Sequence, residues 1–157
     1  MEPTDAVFRD ASPSDISTLV EFQAALALET EGLQLDRPTV FQGVSAVFEN
    51  PSLGQYLVAL DCRNQLIGTL LLITEWSDWR NGRVLWIHSV YLLPEYRGKG
   101  TFSKFYHYVK EKGRAEKDFR GLRLYVDRRN LKAKAVYENL GMSSQHYELY
   151  EWMEGSS

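Results

Sequence analysis

The stretch 91–103, Tyr-Leu-Leu-Pro-Glu-Tyr-Arg-Gly-Lys-Gly-Thr-Phe-Ser, leaves its chain few ways to fold. An apolar strand end meets Pro94, which has no N–H with which to continue a backbone ladder. Gly98 and Gly100 leave backbone N–H groups uncovered, and apolar residues recur beyond them at helical spacing. The stretch reads as strand, turn and helix start. A helix N-terminus opened by glycine presents bare backbone N–H groups, and the helix dipole favours an anion there. Arg97 and Lys99 add positive charge at the same point. These residues predict a site for phosphate or pyrophosphate, and hence a phosphorylated cofactor.

Charge is segregated around that point. Residues 1–96 carry 5 Lys and Arg against 13 Asp and Glu, whereas residues 97–134 carry 13 against 4. The remaining tail carries no base and 4 acids, and the net charge of −3 conceals the contrast. A basic block that begins at the glycine turn suits a phosphate-rich ligand, and the acidic part suits a cationic second one. The block lacks a recognition helix or an aromatic stacking motif, so no nucleic-acid partner is expected.

A length of 157 residues suits a single domain over 1–157 with a substantial core. The 44% hydrophobic and 25% charged content is that of a soluble globular chain. No run reaches the roughly 18 apolar residues that span a bilayer, so no membrane partner is expected. Residues 1–10, with three acids and no long apolar core, do not read as an export leader. Cys62 stands alone, which excludes an internal disulfide framework and points to a reducing cytoplasm. It has no nearby base and does not read as a nucleophile. His88, His107 and His146 lack metal-ligand spacing, so no metal is expected.

Along the chain, 6–9 reads as a short strand. Ser12-Pro13-Ser14-Asp15 starts a helix, with Ser12 as N-cap, Pro13 at the first position and Asp15 three residues after the cap. An acidic loop at 29–32 ends it, and Asp36-Arg37-Pro38 opens a second helix to about residue 49. Strands at 55–60 and 66–74 form a hairpin, and 83–93 is a long third strand. Phe102, Phe105, Tyr106 and Val109 make an apolar stripe on the next helix, with Phe102 at its head. A strand at 121–126 precedes a helix at 130–140 capped near Gly141. Residues 145–152 alternate enough for a last strand. The order βααβββαβαβ implies an α/β fold with a mixed sheet.

Three segments together resemble the GCN5-related N-acetyltransferase superfamily. Pro94-Glu95-Tyr96-Arg97-Gly98-Lys99-Gly100 is similar to that family's acetyl-CoA pyrophosphate loop. Leu122-Arg123-Leu124-Tyr125-Val126 resembles its next core strand, and Asn130, Ala133, Tyr137, Gly141 and Met142 match its late helix. The resemblance covers roughly 55–150, and around 85–100 it leans toward the diamine acetyltransferase branch. It implies a central, mostly antiparallel mixed sheet flanked by helices. It also implies acetyl transfer from acetyl-CoA to a small-molecule amine, directly within a ternary complex. One departure stands out: the last loop position, usually Gly or Ala, is Phe102.

The resemblance distributes the chemistry. The amides of Gly98, Lys99, Gly100, Thr101, Phe102 and Ser103 would hold the pyrophosphate, with Arg97 and Lys99 beside the phosphates. Val90, Tyr91 and Leu92 would pair with the pantetheine arm, and an amide near Val90 would polarise the thioester carbonyl. Asn130 and Ala133 belong to the cofactor frame, Asn130 also serving as helix cap. Tyr137 is the expected general acid: an apolar-stripe tyrosine is by itself more often a core residue, and the frame of Asn130, Ala133 and Gly141 reverses that.

The base is less determined. An amine with a pKa near 10.4 is neutral in about one molecule of a few thousand at pH 7, so a base must remove its proton. His88 titrates near working pH and precedes the cofactor segment. The diamine branch has glutamate there, so His88 is a substitution. Glu75, Glu29 and Glu31 are rival bases or acceptor-site carboxylates. Trp76, Trp79, Trp86 and Tyr125 suit a cation-binding pocket or an ordinary structural role. A non-catalytic acyl-CoA sensor and an acetyltransferase of protein or peptide amines are the alternatives. The aromatic tail 147–153 would suit a homodimer contact.

Overall fold

Turn chemistry decides where the strands meet. The Asp61 carboxylate accepts from the amides of Arg63 and Gln65 at 2.8 and 3.0 Å, and so folds the chain back between β2 (Gln55–Leu60) and β3 (Leu66–Ser77). A second turn, with Asn81 at φ 48, returns the chain as β4 (Gly82–Leu92). β1 (Val7–Asp10) pairs antiparallel with β2, and β5 (Phe119–Arg123) pairs parallel with β4. The sheet runs β1-β2-β3-β4-β5, and all its pairings but the last are antiparallel. These features come from a computed structural model that describes residues 5–155. Residues 1–4, part of the segment expected not to be a leader, lie outside the described residues.

The helices cover both faces. Ser12 donates its backbone N–H to Asp15 at 2.8 Å, and a short 3-10 turn leads into α1 (Ile16–Glu31). Asp36 caps α2 (Arg37–Glu49) by accepting from the Thr39 amide at 3.1 Å. Leu19 and Val20 of α1 and Val44 of α2 bury against Tyr56, Val58 and Leu60 on one face of the sheet. On the other face α3 (Thr101–Arg114) sends in Phe105, whose ring stacks on Phe8 at 4.8 Å.

The chain falls into two compact units that part after Leu124. The first holds the sheet with α1 to α3. The second holds α4 (Leu131–Asn139) and the tail. The expected α/β class holds: a mixed, mostly antiparallel sheet flanked by helices.

Four details differ from the sequence reading. α1 continues through the expected acidic loop to Glu31 and stops at Gly32, whose φ of 64 suits the left-handed cap. The fifth strand lies at Phe119–Arg123 rather than 121–126, because Arg83 donates its amide to the Asp118 carbonyl at 2.7 Å and starts the pairing early. The stripe of α3 is headed by buried Thr101, and Phe102 is only half-buried. Residues 145–152 form no strand. Alternation supplies a face, but a strand exists only where a neighbour completes its ladder.

At Gly113 α3 lies against the Phe119 ring of β5. A Cβ there would lie 2.6 Å from the Phe119 ring. Gly113→Ala should therefore destabilise the fold by about 1–3 kcal/mol through overpacking. Calorimetric melting would check this, and an unchanged Tm would show that the ring moves freely aside.

Candidate active site

The end of β4 is built around a mismatch. Leu71 pairs with His88 and Thr69 with Tyr91, so Ser89 and Val90 together oppose Leu70 alone. This is a β-bulge, and Ser89 takes it up at φ 52, a costly conformation for a residue with a Cβ. The extra residue brings His88 and Tyr91 onto the same face although they are three apart. Pairing with β5 covers only Arg83 to Trp86. From Ile87 to Leu92 the β5-side edge of β4 thus pairs with no strand among the described residues. Such an edge can accept an extended ligand as a strand would be accepted.

Past β4 the chain turns through Pro94–Tyr96 and then bends twice, at Gly98 (φ 73) and Gly100 (φ 81). Nothing lies within 4 Å of a Cβ built at either glycine, so it is backbone conformation that requires them. Gly100 is the N-cap of α3 and has no side chain with which to cap it. The first helical bond runs from the Lys104 amide to the Gly100 carbonyl at 3.1 Å. The amides of Thr101 to Ser103 precede that bond and have no intrahelical acceptor. The Thr101 hydroxyl, 1% exposed, has no hydrogen-bond partner among the described residues.

Arg97 is held by its own surroundings. Its guanidinium donates to the Leu92 carbonyl at 2.9 Å and to Glu29 at 2.8 Å, and lies 5.3 Å over the Tyr91 ring. The Tyr91 ring in turn contacts Phe22 of α1 at 5.1 Å. Glu29, expected as an acceptor-site carboxylate, is therefore an ion-pair partner of the loop. Glu31 lies exposed at the end of α1.

A second group of side chains shares the His88 face. Glu75 accepts from the Trp86 indole at 2.5 Å and from Arg123 at 2.9 and 3.0 Å. The Trp86 hydrogen bond, aided by Arg123, outweighs desolvation and holds the Glu75 carboxyl below its usual range. Glu75 is thereby a weaker base than the sequence suggested. Trp86 stacks with His88 at 6.0 Å between ring centroids. Burial pushes the half-buried His88 imidazole below its ordinary 6.5.

Within the sheet, the expected aromatic residues Trp76 and Trp86 lie on opposite faces. Trp76 faces the opposite side of β3 from Glu75, because adjacent strand residues alternate. Trp79 is exposed in the β3–β4 turn, and Tyr125 is exposed in the second unit. In that unit Asn130 caps α4 by accepting from the Ala133 amide at 3.1 Å. Tyr137 is half-buried, and burial raises its phenol above 10.0. Gly141, at φ 89, lets the Met142 amide return to the Tyr137 carbonyl at 3.1 Å. Two residues escaped the sequence reading as site residues: Ser89 and Arg123. Arg123, charged between two leucines on a strand, carried a signal; Ser89 carried none. Thr101 was expected for its amide, and its buried hydroxyl is the addition.

The described residues hold no cluster of three or more potential metal ligands and no helix long and apolar enough to cross a membrane. A cavity of about 240 Å³ at the start of β4, walled by Leu72, Leu85, Arg83 and Phe119, includes none of the expected site residues.

Residues 21–142 match the Acetyltransferase (GNAT) family. The chain is 38% identical to a possible acetyltransferase of Clostridium difficile 630, with a TM-score of 0.86 over 94% of this chain and 97% of that one. It is 29% identical over 110 residues to the S-alkylcysteine N-acetyltransferase of Bacillus subtilis strain 168. That match spans 69% of this chain and 61% of the relative's length. A Clostridium acetobutylicum acetyltransferase structure with acetyl-CoA has the same fold at 20% identity, with a TM-score of 0.71 over 95% of this chain and 94% of that one.

The geometry at His88 has a direct test. Because the folded chain disfavours the imidazolium, the unfolded chain binds the proton first as pH falls through 6.5. Stability should decline with pH in that window. In an NMR titration the His88 ring should show a midpoint below 6.5; a midpoint above it would mean that a negative group dominates its surroundings.

Proposed function

Since the chain belongs to the GNAT acetyltransferase family, we propose that it transfers an acetyl group from acetyl-CoA to the primary amine of a small molecule, directly within a ternary complex. The observation that carries this reading is the bulged, one-sided end of β4 running into the glycine-capped start of α3. The residues present fit the cofactor. A helix start whose cap has no side chain and the buried Thr101 hydroxyl, without a hydrogen-bond partner among the described residues, suit an anion, and the β5-side edge of β4 suits an extended arm. When bound, acetyl-CoA supplies an acetyl group activated as a thioester.

The amides of Gly98 to Ser103 would hold the pyrophosphate, with Lys99 beside it. Val90 to Leu92 would orient the arm by strand-like pairing, and a backbone N–H at the bulge would steady charge developing on the thioester oxygen. His88, kept neutral by burial, takes the proton of the incoming amine. Tyr137, its phenol kept protonated by burial, gives a proton to the departing sulfur. The whole chain acts as one domain in a reducing cytoplasm, where the exposed Cys62 stays a thiol.

Within the small amines, an amino-acid-like acceptor is favoured over a polyamine. Glu75 and Glu29, which would receive a second ammonium group, are already paired with Arg123 and Arg97. The relative that acts on S-alkylcysteine supports the same choice. An amine panel with thiol release as readout tests the assignment. Release with none of the amines would favour a sensor domain.

Gly100→Asp adds a side chain where φ is 81 and a negative charge where an anion docks. Calorimetry should show acetyl-CoA binding lost by an order of magnitude or more, since charge-assisted contacts are the strong ones. Unchanged affinity would remove the loop from the cofactor site.

The two proton-handling groups separate by kinetics. Tyr137→Phe should lower turnover by roughly 10²-fold or more at nearly constant cofactor affinity, as general acid loss does. His88→Gln should remove an acidic limb that lies below pH 6.5 in the parent. Full turnover in the first variant, or an unchanged limb in the second, would return that residue to a structural role.

A further inference from the structure

Between Pro94 and Gly100 the chain has little to pack against. Every residue of this span is exposed except Tyr96, which is half-buried. Nothing lies within 4 Å of a Cβ built at Gly98 or Gly100, so close packing does not fix the glycine turn. Two short bonds, from the Tyr96 amide to the Leu93 carbonyl at 2.9 Å and from the Arg97 amide to the Pro94 carbonyl at 3.2 Å, shape the span. They do not attach it to the other elements.

Attachment comes from two adjacent side chains. Arg97 reaches Glu29 of α1 at 2.8 Å, whereas the Tyr96 phenol donates to Asp61 Oδ2 at 3.1 Å, across 35 positions of chain. Asp61 divides its carboxylate between two tasks. Oδ1 accepts the Arg63 and Gln65 amides that close the β2–β3 turn, and Oδ2 takes the phenol. The Asp61 amide donates to the Gln65 carbonyl and the Asn64 amide to the Asp61 carbonyl, both at 3.0 Å. The carboxylate that meets Tyr96 is thus already fixed by its own turn.

An anion treats the two anchors differently. Arg97 belongs to a partly exposed ion pair, which holds weakly, and a phosphate competes with Glu29 for the same guanidinium. The Tyr96 phenol already gives its one proton to a carboxylate, a charge-assisted bond. A phosphate has no positive charge to draw away there. Tyr96 is the anchor that stays while Arg97 is pulled toward a ligand.

We propose that Asp61 and Tyr96 are positioning residues for the cofactor. Their bond holds the glycine turn in the arrangement that receives the pyrophosphate before the cofactor arrives, so that binding does not carry the cost of ordering the turn. The proposal rests on the reading of that turn as the pyrophosphate site, and it names what keeps the turn in shape.

The test is calorimetry of acetyl-CoA binding to the full chain, at a temperature well below the Tm of every variant, so that only folded protein is titrated. Tyr96→Phe keeps the ring and removes only the donor. Its Kd should rise by roughly three- to tenfold, the range for one lost hydrogen bond. Asp61→Asn, which gives up the charge and one of the two oxygens, should also weaken binding. The double variant should bind no worse than the weaker single one, because both changes remove the same bond. Hydrogen exchange at the amides of Arg97 to Gly100 should quicken in Tyr96→Phe without cofactor and return toward that of the parent at saturating acetyl-CoA. A bond with a merely structural role would lower the Tm and leave Kd unchanged. That result, with Gly100→Asp still losing affinity, overturns the proposal alone. Unchanged affinity in Gly100→Asp as well overturns the reading of the turn and the proposal with it. Effects that add in the double variant overturn the pairing.

Discussion

One surplus residue in β4 governs the functional end of the molecule. With Ser89 and Val90 opposing Leu70, the strand must bulge, and Ser89 holds the strained backbone that results. A conformation of this kind costs of order 1–3 kcal/mol and persists only where packing over-determines it. Here the flanking pairs Leu71–His88 and Thr69–Tyr91 and the Tyr91–Phe22 contact do so. The bulge aligns His88 and Tyr91 on the α1 side. Together with the early end of β5 it leaves half of β4 with a free edge. The glycine turn follows directly, so edge and helix start form one continuous surface.

Electrostatics around that surface is more balanced than the residue counts suggest. The acidic first part and the basic block meet as specific pairs, Arg97 with Glu29 and Arg123 with Glu75. These pairs are partly exposed, so their contribution to stability is small. Their consequence is selective instead. They anchor the loop to α1 and, after the larger effect of the Trp86 hydrogen bond, lower the basicity of Glu75, while His88 stands beside the β5-side edge of β4. Half-burial against Trp86 then keeps its ring neutral at physiological pH.

Much of this was legible in the chain. Gly98 and Gly100 announced the turn, Asp36-Arg37-Pro38 a helix start, and Asn130 a cap, because each acts through backbone within a few residues. Period-two and helical patterns located the strands and helices of the sheet layer for the same reason. The family resemblance likewise rested on short segments with local duties. By contrast, the last strand at 145–152 was expected and is absent from the single chain: alternation shows that a segment can pair, not with what.

The sequence by itself determined the local events: the strand–turn–helix start at 91–103, the caps, the hairpin and the α/β order. These depend on φ preferences and hydrogen bonds between near neighbours. Only the tertiary structure decided the rest. It placed the bulge at Ser89, buried Thr101 in place of Phe102, drew Glu75 to Arg123 across 48 positions of chain, and set Trp76 on the face away from His88. Each of these follows from strand register or from packing between elements rather than from near neighbours in the chain. Register is fixed by packing against both faces at once, and no local pattern contains that information.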